Sequence, residues 1–193
     1  MGTTIVIVVV VVVVIVLLAL YFASRRRAAQ RSEEQRERSR EEFGSEYERT
    51  VEERGSEEDA ERELRERRGR VERRIEPLSE ESSGHFDERW TEVERVFVEN
   101  PERSIEMADR TVSDLLSERG FVSDAGQSDE ETEQSLAVMH PEVADDYREA
   151  RRMRAEVVGR SAGGAEDDSE ESTEGLRQAI RKYRAVYERL VQQ

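Results

Sequence analysis

From Ile5 to Leu20 every residue is apolar, and Tyr21, Phe22 and Ala23 carry the run up to Arg25, Arg26 and Arg27. Together with Thr3 and Thr4 this is about 20 residues, or roughly 30 Å of helix, enough to cross a bilayer core. In lipid a single segment must satisfy its own backbone, so a helix is the expected form despite the valines. The pattern predicts a transmembrane helix over residues 5–22 within an anchor covering residues 1–23. A cleaved signal would carry a basic start, a shorter apolar stretch and a small-x-small site, and this segment has none of them. Arg25, Arg26, Arg27, Arg31, Arg36, Arg38 and Arg40 all follow the run. The positive-inside rule then predicts a single-pass cell-membrane protein, N-terminus outside and body in the cytoplasm.

The next stretch, Ser24 to Glu42, contains no large apolar residue. Its Glu34/Arg38, Glu33/Arg36 and Glu37/Arg40 spacings support a solvated helix with weak side-chain pairs. At Phe43 the pattern changes, because Phe43, Tyr47 and Val51 share one helix face up to Gly55. Ser56 is an expected N-cap, followed by a thin stripe of Ala60, Leu64, Val71 and Ile75. Sustained heptads are missing, so residues 24–77 read as a charged helical stalk or arm, hairpinned or kinked at Gly55-Ser56.

After Glu76-Pro77-Leu78-Ser79 the amphipathic patterns strengthen. Phe86, Trp90, Val93 and Phe97 fall on one face. Asn100-Pro101 is an expected cap and first turn, leading to the stripe Ile105, Ala108, Val112, Leu115 and Leu116, with Gly120 as a left-handed stop. Ser128 and Glu131 spell a capping box for a short helix through Leu136 and Met139. Val143, Tyr147, Ala150 and Val157 mark the helix after His140-Pro141, with Met153 at its edge. Residues 161–172 form a Gly/Ser/acidic loop, flexible by composition. The last helix, from about Thr173, carries Leu176, Ile180, Tyr183, Tyr187 and Leu190. No strand-like alternation occurs outside the anchor, so the expected class is all-α. Residues 78–193 are expected to form a small helical bundle.

Composition narrows what this body can do. The chain has 193 residues, 40% of them charged, a formal net charge of −15 and no cysteine. Disulfides, thiol catalysis and thiolate metal sites are therefore excluded. A negative surface also repels phosphate backbones, so nucleic acid is not an expected partner. The charge is uneven: residues 24–77 hold 16 basic and 17 acidic side chains, residues 78–160 hold 10 and 22. The near-neutral part adjoins the membrane, and the acidic part is carried away from anionic headgroups.

No chemistry-bearing motif stands out. His140 with Glu142, Asp145 and Asp146 lacks the paired spacing of a zinc site, and a histidine before proline is more often a cap or a packed ring. Asp167, Asp168, Glu170 and Glu171 lack the alternating spacing of a calcium loop. Gly159, Gly163 and Gly164 are not followed by Gly-Lys-Ser/Thr, and no G-x-S-x-G is present. No cofactor, metal or small-molecule ligand is indicated. Phe86, Trp90, Phe97, Leu176, Ile180, Tyr183 and Tyr187 are the candidate partner-binding residues, with core packing as the other reading of the same faces.

Several blocks occur in a recognisable order: Phe43-Gly44-Ser45-Glu46-Tyr47-Glu48-Arg49, Arg89-Trp90-Thr91-Glu92-Val93, Phe97-Val98-Glu99-Asn100-Pro101 and Ala108-Asp109-Arg110. His140-Pro141-Glu142-Val143, Tyr147-Arg148-Glu149-Ala150 and Ser172-Thr173-Glu174-Gly175-Leu176-Arg177 follow. This order resembles an uncharacterised family of actinobacterial membrane-anchored proteins over nearly the whole chain, departing from it across Phe121–Gln134. The resemblance implies an anchor followed by a helical body, and no activity. The expected function is a non-catalytic tether or adaptor that binds a protein partner at the membrane. The alternatives are a carboxylate-rich enzyme or metal-dependent sensor using His140, and a structural stalk that self-associates.

Overall fold

The computed structural model describes residues 33–122, 128–162 and 170–192. The expected membrane segment, residues 5–22, lies outside them, as does most of the loop expected over residues 161–172. Among the described residues no helix is long and apolar enough to cross a membrane. Every regular element described is helical, so the fold is all-α.

The helices are α1 (residues 33–43), α2 (Ser45–Arg54), α3 (Glu57–Glu72), α4 (Glu80–Glu99), α5 (Pro101–Glu118), α6 (Asp129–Met139), α7 (Pro141–Ala162) and α8 (Glu170–Val191). The chain divides into two compact units, Met1–Glu42 and Phe43–Gln193. In the first, Glu34 and Arg38 face each other at 3.8 Å, both largely exposed, as their i,i+4 spacing requires.

The second unit starts earlier than the expected domain border at Leu78, and its core explains the correction. Phe43, Tyr47, Leu64 and Val71 from the supposed arm are buried in the same cluster as Phe86, Trp90, Leu115, Leu136 and Tyr183. Their narrow stripes suffice because α2 and α3 pair with each other and then lie on α6. Neighbours continue from α6 to α7, α7 to α8, α8 to α5 and α5 to α4. Two faces closing one interface need only a thin stripe each; a free helix needs a broad one.

The termini follow local chemistry. Gly55, at φ 73°, ends α2, and its N–H reaches the Val51 carbonyl at 2.8 Å. Ser56 then caps α3 by accepting from the Asp59 N–H at 3.1 Å. Ser79 caps α4 through the Ser82 N–H at 3.0 Å, and Asn100 caps α5 through the Arg103 N–H at 3.0 Å. The capping box of Ser128 and Glu131 is complete in both directions, at 3.2 and 3.0 Å. At the end of α5 the Phe121 N–H returns to Leu116 (2.9 Å) and the Gly120 N–H to Ser117 (3.1 Å), a Schellman closure around a left-handed glycine. Helix α7 runs through Ser161 and Ala162, and α8 starts at Glu170, so both helices reach into the stretch expected to be loop.

Candidate functional site

The expected site residues come from α4 and α8, whose apolar faces meet over α5. Phe86, Trp90, Leu176, Tyr183 and Tyr187 are buried, while Phe97 and Ile180 are partly buried against the same core. None of the seven presents an open apolar face, which agrees with core packing as the reading of these residues. Burying side chains of this size contributes about 1.5–3 kcal/mol each, so the core claims them first.

What remains accessible is a polar-rimmed cleft of about 360 Å³ above the Trp90 and Tyr187 rings. The rings stack at 4.7 Å between centroids with 14° between planes, and each keeps only 5–6% of its surface exposed. Their polar ends are fixed outward. The indole Nε1–H donates to Glu94 Oε1 at 3.1 Å, and the Tyr187 hydroxyl donates to Asp87 Oδ1 at 2.6 Å. Arg184 bridges Glu94 (2.6 Å) and Glu188 (2.7 Å) across the mouth. Burial, and then the bond to Asp87, raise the Tyr187 hydroxyl well above its ordinary range, so it stays a neutral donor. The lining therefore sets three carboxylates, Asp87, Glu94 and Glu188, against one guanidinium. This excess of negative charge can recognise a cation at the rim.

Two polar constellations escaped the sequence reading. One is centred on Asp109, which accepts from the Tyr183 hydroxyl at 2.9 Å and lies 3.3 Å from Arg154 and 3.7 Å from Arg151. Arg151 also reaches Glu133 at 3.3 Å and bonds Asp129. Nearby, the Tyr147 and Ser113 hydroxyls are 3.3 Å apart. Burial pushes the Tyr147 phenol up to about 12, with the Ser113 bond and Arg151 opposing it. The Tyr183 phenol is raised further, by burial and then by Asp109. Both phenols stay protonated near neutrality, and the constellation ties α5, α6, α7 and α8 together.

The other is Glu46, only 1% exposed, held by Arg148 at 2.7 Å and Arg67 at 3.0 Å, with Arg49 at 3.9 Å. It joins α2, α3 and α7. Burial raises its carboxyl above the usual 4.5 against the pull of these arginines. A glutamate in a charge-rich run carries no sign of such burial; the only hint was its place beside Tyr47 on the apolar side of a short helix.

His140 ends α6 and precedes the proline that opens α7, its ring buried 6.1 Å from that of Phe121. The cleft above Trp90 and Tyr187 does not include it. Among the described residues, no group of three or more His, Cys, Asp or Glu is arranged to hold a metal ion. Comparison of the chain with family models, with curated proteins and with solved structures finds no match.

Proposed function

We propose that the protein is a membrane-anchored, non-catalytic adaptor whose helical unit receives a basic side chain of a protein partner. Residues 5–22 supply the anchor, with the body in the cytoplasm. The Phe43–Gln193 unit supplies the α4–α8 cleft. One observation carries the reading: three carboxylates and one guanidinium ring a stacked Trp/Tyr pair whose polar ends are already oriented. An arginine or lysine entering there meets opposite charge at the rim, which favours a cation over an anion.

The test places a photo-crosslinking benzoylphenylalanine at Thr91, an exposed cleft residue, in the full chain in native membranes. The expected result is an adduct whose captured segment contains Arg or Lys and which disappears in Glu94→Lys/Glu188→Lys. An adduct that survives this charge reversal, or that forms equally from the exposed position Glu106, refutes the cleft as the docking site. Topology is read separately. Since the chain has no cysteine, Glu106→Cys labelled by an impermeant maleimide in intact cells would place the body outside and overturn the cytoplasmic assignment.

A further inference from the structure

A second cleft, of about 250 Å³, opens between α3 and α6 and has the opposite character. Arg67, Arg70 and Arg74 fall at i, i+3 and i+7 on α3 and just beyond its end, around the apolar floor of Val71. Glu131, Gln134 and Ser135 face them from α6, and Glu63 completes the lining.

The commitments of these groups are unequal. Arg67 is used by Glu46 at 3.0 Å and Glu63 at 3.3 Å. Arg70 is half exposed and touches carboxylates only at 3.5 and 4.0 Å. The Arg74 Nε is buried with no hydrogen-bond acceptor, and among the described residues no carboxylate pairs with this guanidinium. Both lining carboxylates are already engaged. Glu63 receives Arg54 at 2.9 Å as well as Arg67, and Glu131 accepts from the Ser128 N–H at 3.0 Å.

We propose that this cleft binds a small phosphoryl dianion, held by Arg74 and Arg70 with the Gln134 amide as a further donor. Arg74 lines the cleft with a guanidinium that no described carboxylate neutralises, and an incoming oxyanion supplies that partner. Paired guanidinium forks match the oxygens of a phosphate better than any other side-chain arrangement. The site is also preorganised. The Arg74 N–H bonds the Val71 carbonyl at 2.9 Å, and its own carbonyl lies pinned under Gly120, where an added Cβ would come within 2.2 Å. The volume falls below that of a drug-sized pocket and suits a phosphoryl group with a small substituent. With a net charge of −15 on the chain, extended polyanions are repelled while a small dianion reaches the arginines. The phosphoryl group is carried either by a soluble phosphomonoester or by a lipid headgroup.

The inference is independent of the α4–α8 cleft, and its test uses other residues. Full-length protein in neutral detergent is titrated with inorganic phosphate in one arm and with phosphatidic acid in mixed micelles in the other, followed by ³¹P NMR at constant ionic strength. The expected result is saturable broadening of one phosphorus signal, weakened at least about tenfold in Arg74→Gln. Arg70→Gln is expected to weaken it less, with the circular dichroism of both variants unchanged. A response confined to phosphatidic acid assigns a lipid headgroup; a response to inorganic phosphate assigns a soluble ligand. No saturable response in either arm, or equal binding by folded Arg74→Gln, overturns the proposal. Should Arg74→Gln fail to fold, Arg70→Gln and Gln134→Leu decide by the same criterion.

Discussion

Gly120 and Gly55 both end helices in the left-handed region, at φ 84° and φ 73°, yet their surroundings differ completely. A Cβ on Gly55 meets nothing within 4 Å, whereas a Cβ on Gly120 would stand 2.2 Å from the Arg74 carbonyl oxygen and 2.8 Å from its carbon. Gly55→Ala should therefore cost only the left-handed penalty of an L residue, about 1–2 kcal/mol. Gly120→Ala adds an overlap with main chain, which cannot swing aside as a side chain does. Residues 73–76 would have to move away, straining the bond from the Glu76 N–H to the Arg119 carbonyl, now 3.3 Å. Overpacking of that kind costs about 1–3 kcal/mol, and a weakened hydrogen bond roughly another 1 kcal/mol. The total for Gly120→Ala is then about 3–6 kcal/mol.

Both substitutions remove a glycine from the unfolded chain, so that entropic gain cancels between them. The comparison is made by urea unfolding followed by far-UV circular dichroism, with the slopes checked for equality before midpoints are compared. Gly120→Ala is expected to lose at least twice the stability lost by Gly55→Ala. Equal losses would mean that the Arg74 turn yields freely, and the tight seating of this turn against the end of α5 would be refuted. The same result would remove the preorganisation argued for the α3–α6 cleft, since Arg74 is positioned by that turn.

Two further outcomes follow from buried groups. Trp90→Ala should cost about 3–5 kcal/mol, because the indole is buried and stacked on Tyr187; an unchanged thermal midpoint would show that the ring is not part of the core. For Glu46, the raised carboxyl means that the folded state takes up a proton before the unfolded state does. Its contribution is fully present below the usual 4.5 and is lost as pH rises through the folded value. The stability of the wild type relative to Glu46→Gln should therefore increase as pH falls from neutrality toward 4.5; a decrease over that window would show that the arginines outweigh burial.

The helices were legible wherever a terminus carried its own chemistry. Asn100-Pro101, the Ser128/Glu131 box and Gly120 each satisfy or end a helix with atoms within a few residues, and the structure uses all of them. The domain border was not legible. Residues 24–77 look uniform in charge, and the stripe Phe43, Tyr47, Leu64, Val71 is too narrow to announce burial. It becomes core because α6 supplies the missing surface, with Leu136, Ala137 and Val138 buried opposite. Partner faces of this kind are set by sequence-distant pairing, which one-dimensional periodicity does not encode.

The sites divide along the same line. Aromatic residues marked the apolar faces of α4 and α8, but the rim that gives their cleft its character consists of Asp87, Glu94, Arg184 and Glu188. In a chain with 40% charged residues, single charges carry little information until their neighbours are known. Arg119 shows this most sharply. It is 2% exposed, donates to the Leu190 carbonyl, and has its guanidinium shifted down by burial alone. Nothing distinguishes it in sequence from the exposed arginines around it. In the structure it closes the end of α5 against the end of α8, satisfying a carbonyl that the last turn of a helix leaves open. The seat of α8, and with it the position of Tyr187 over Trp90, thus depends on the residue next to Gly120, against which the Arg74 turn is packed. The acidic cleft and the basic one are tied to neighbouring residues of one α5 terminus, Arg119 toward α8 and Gly120 toward the Arg74 turn.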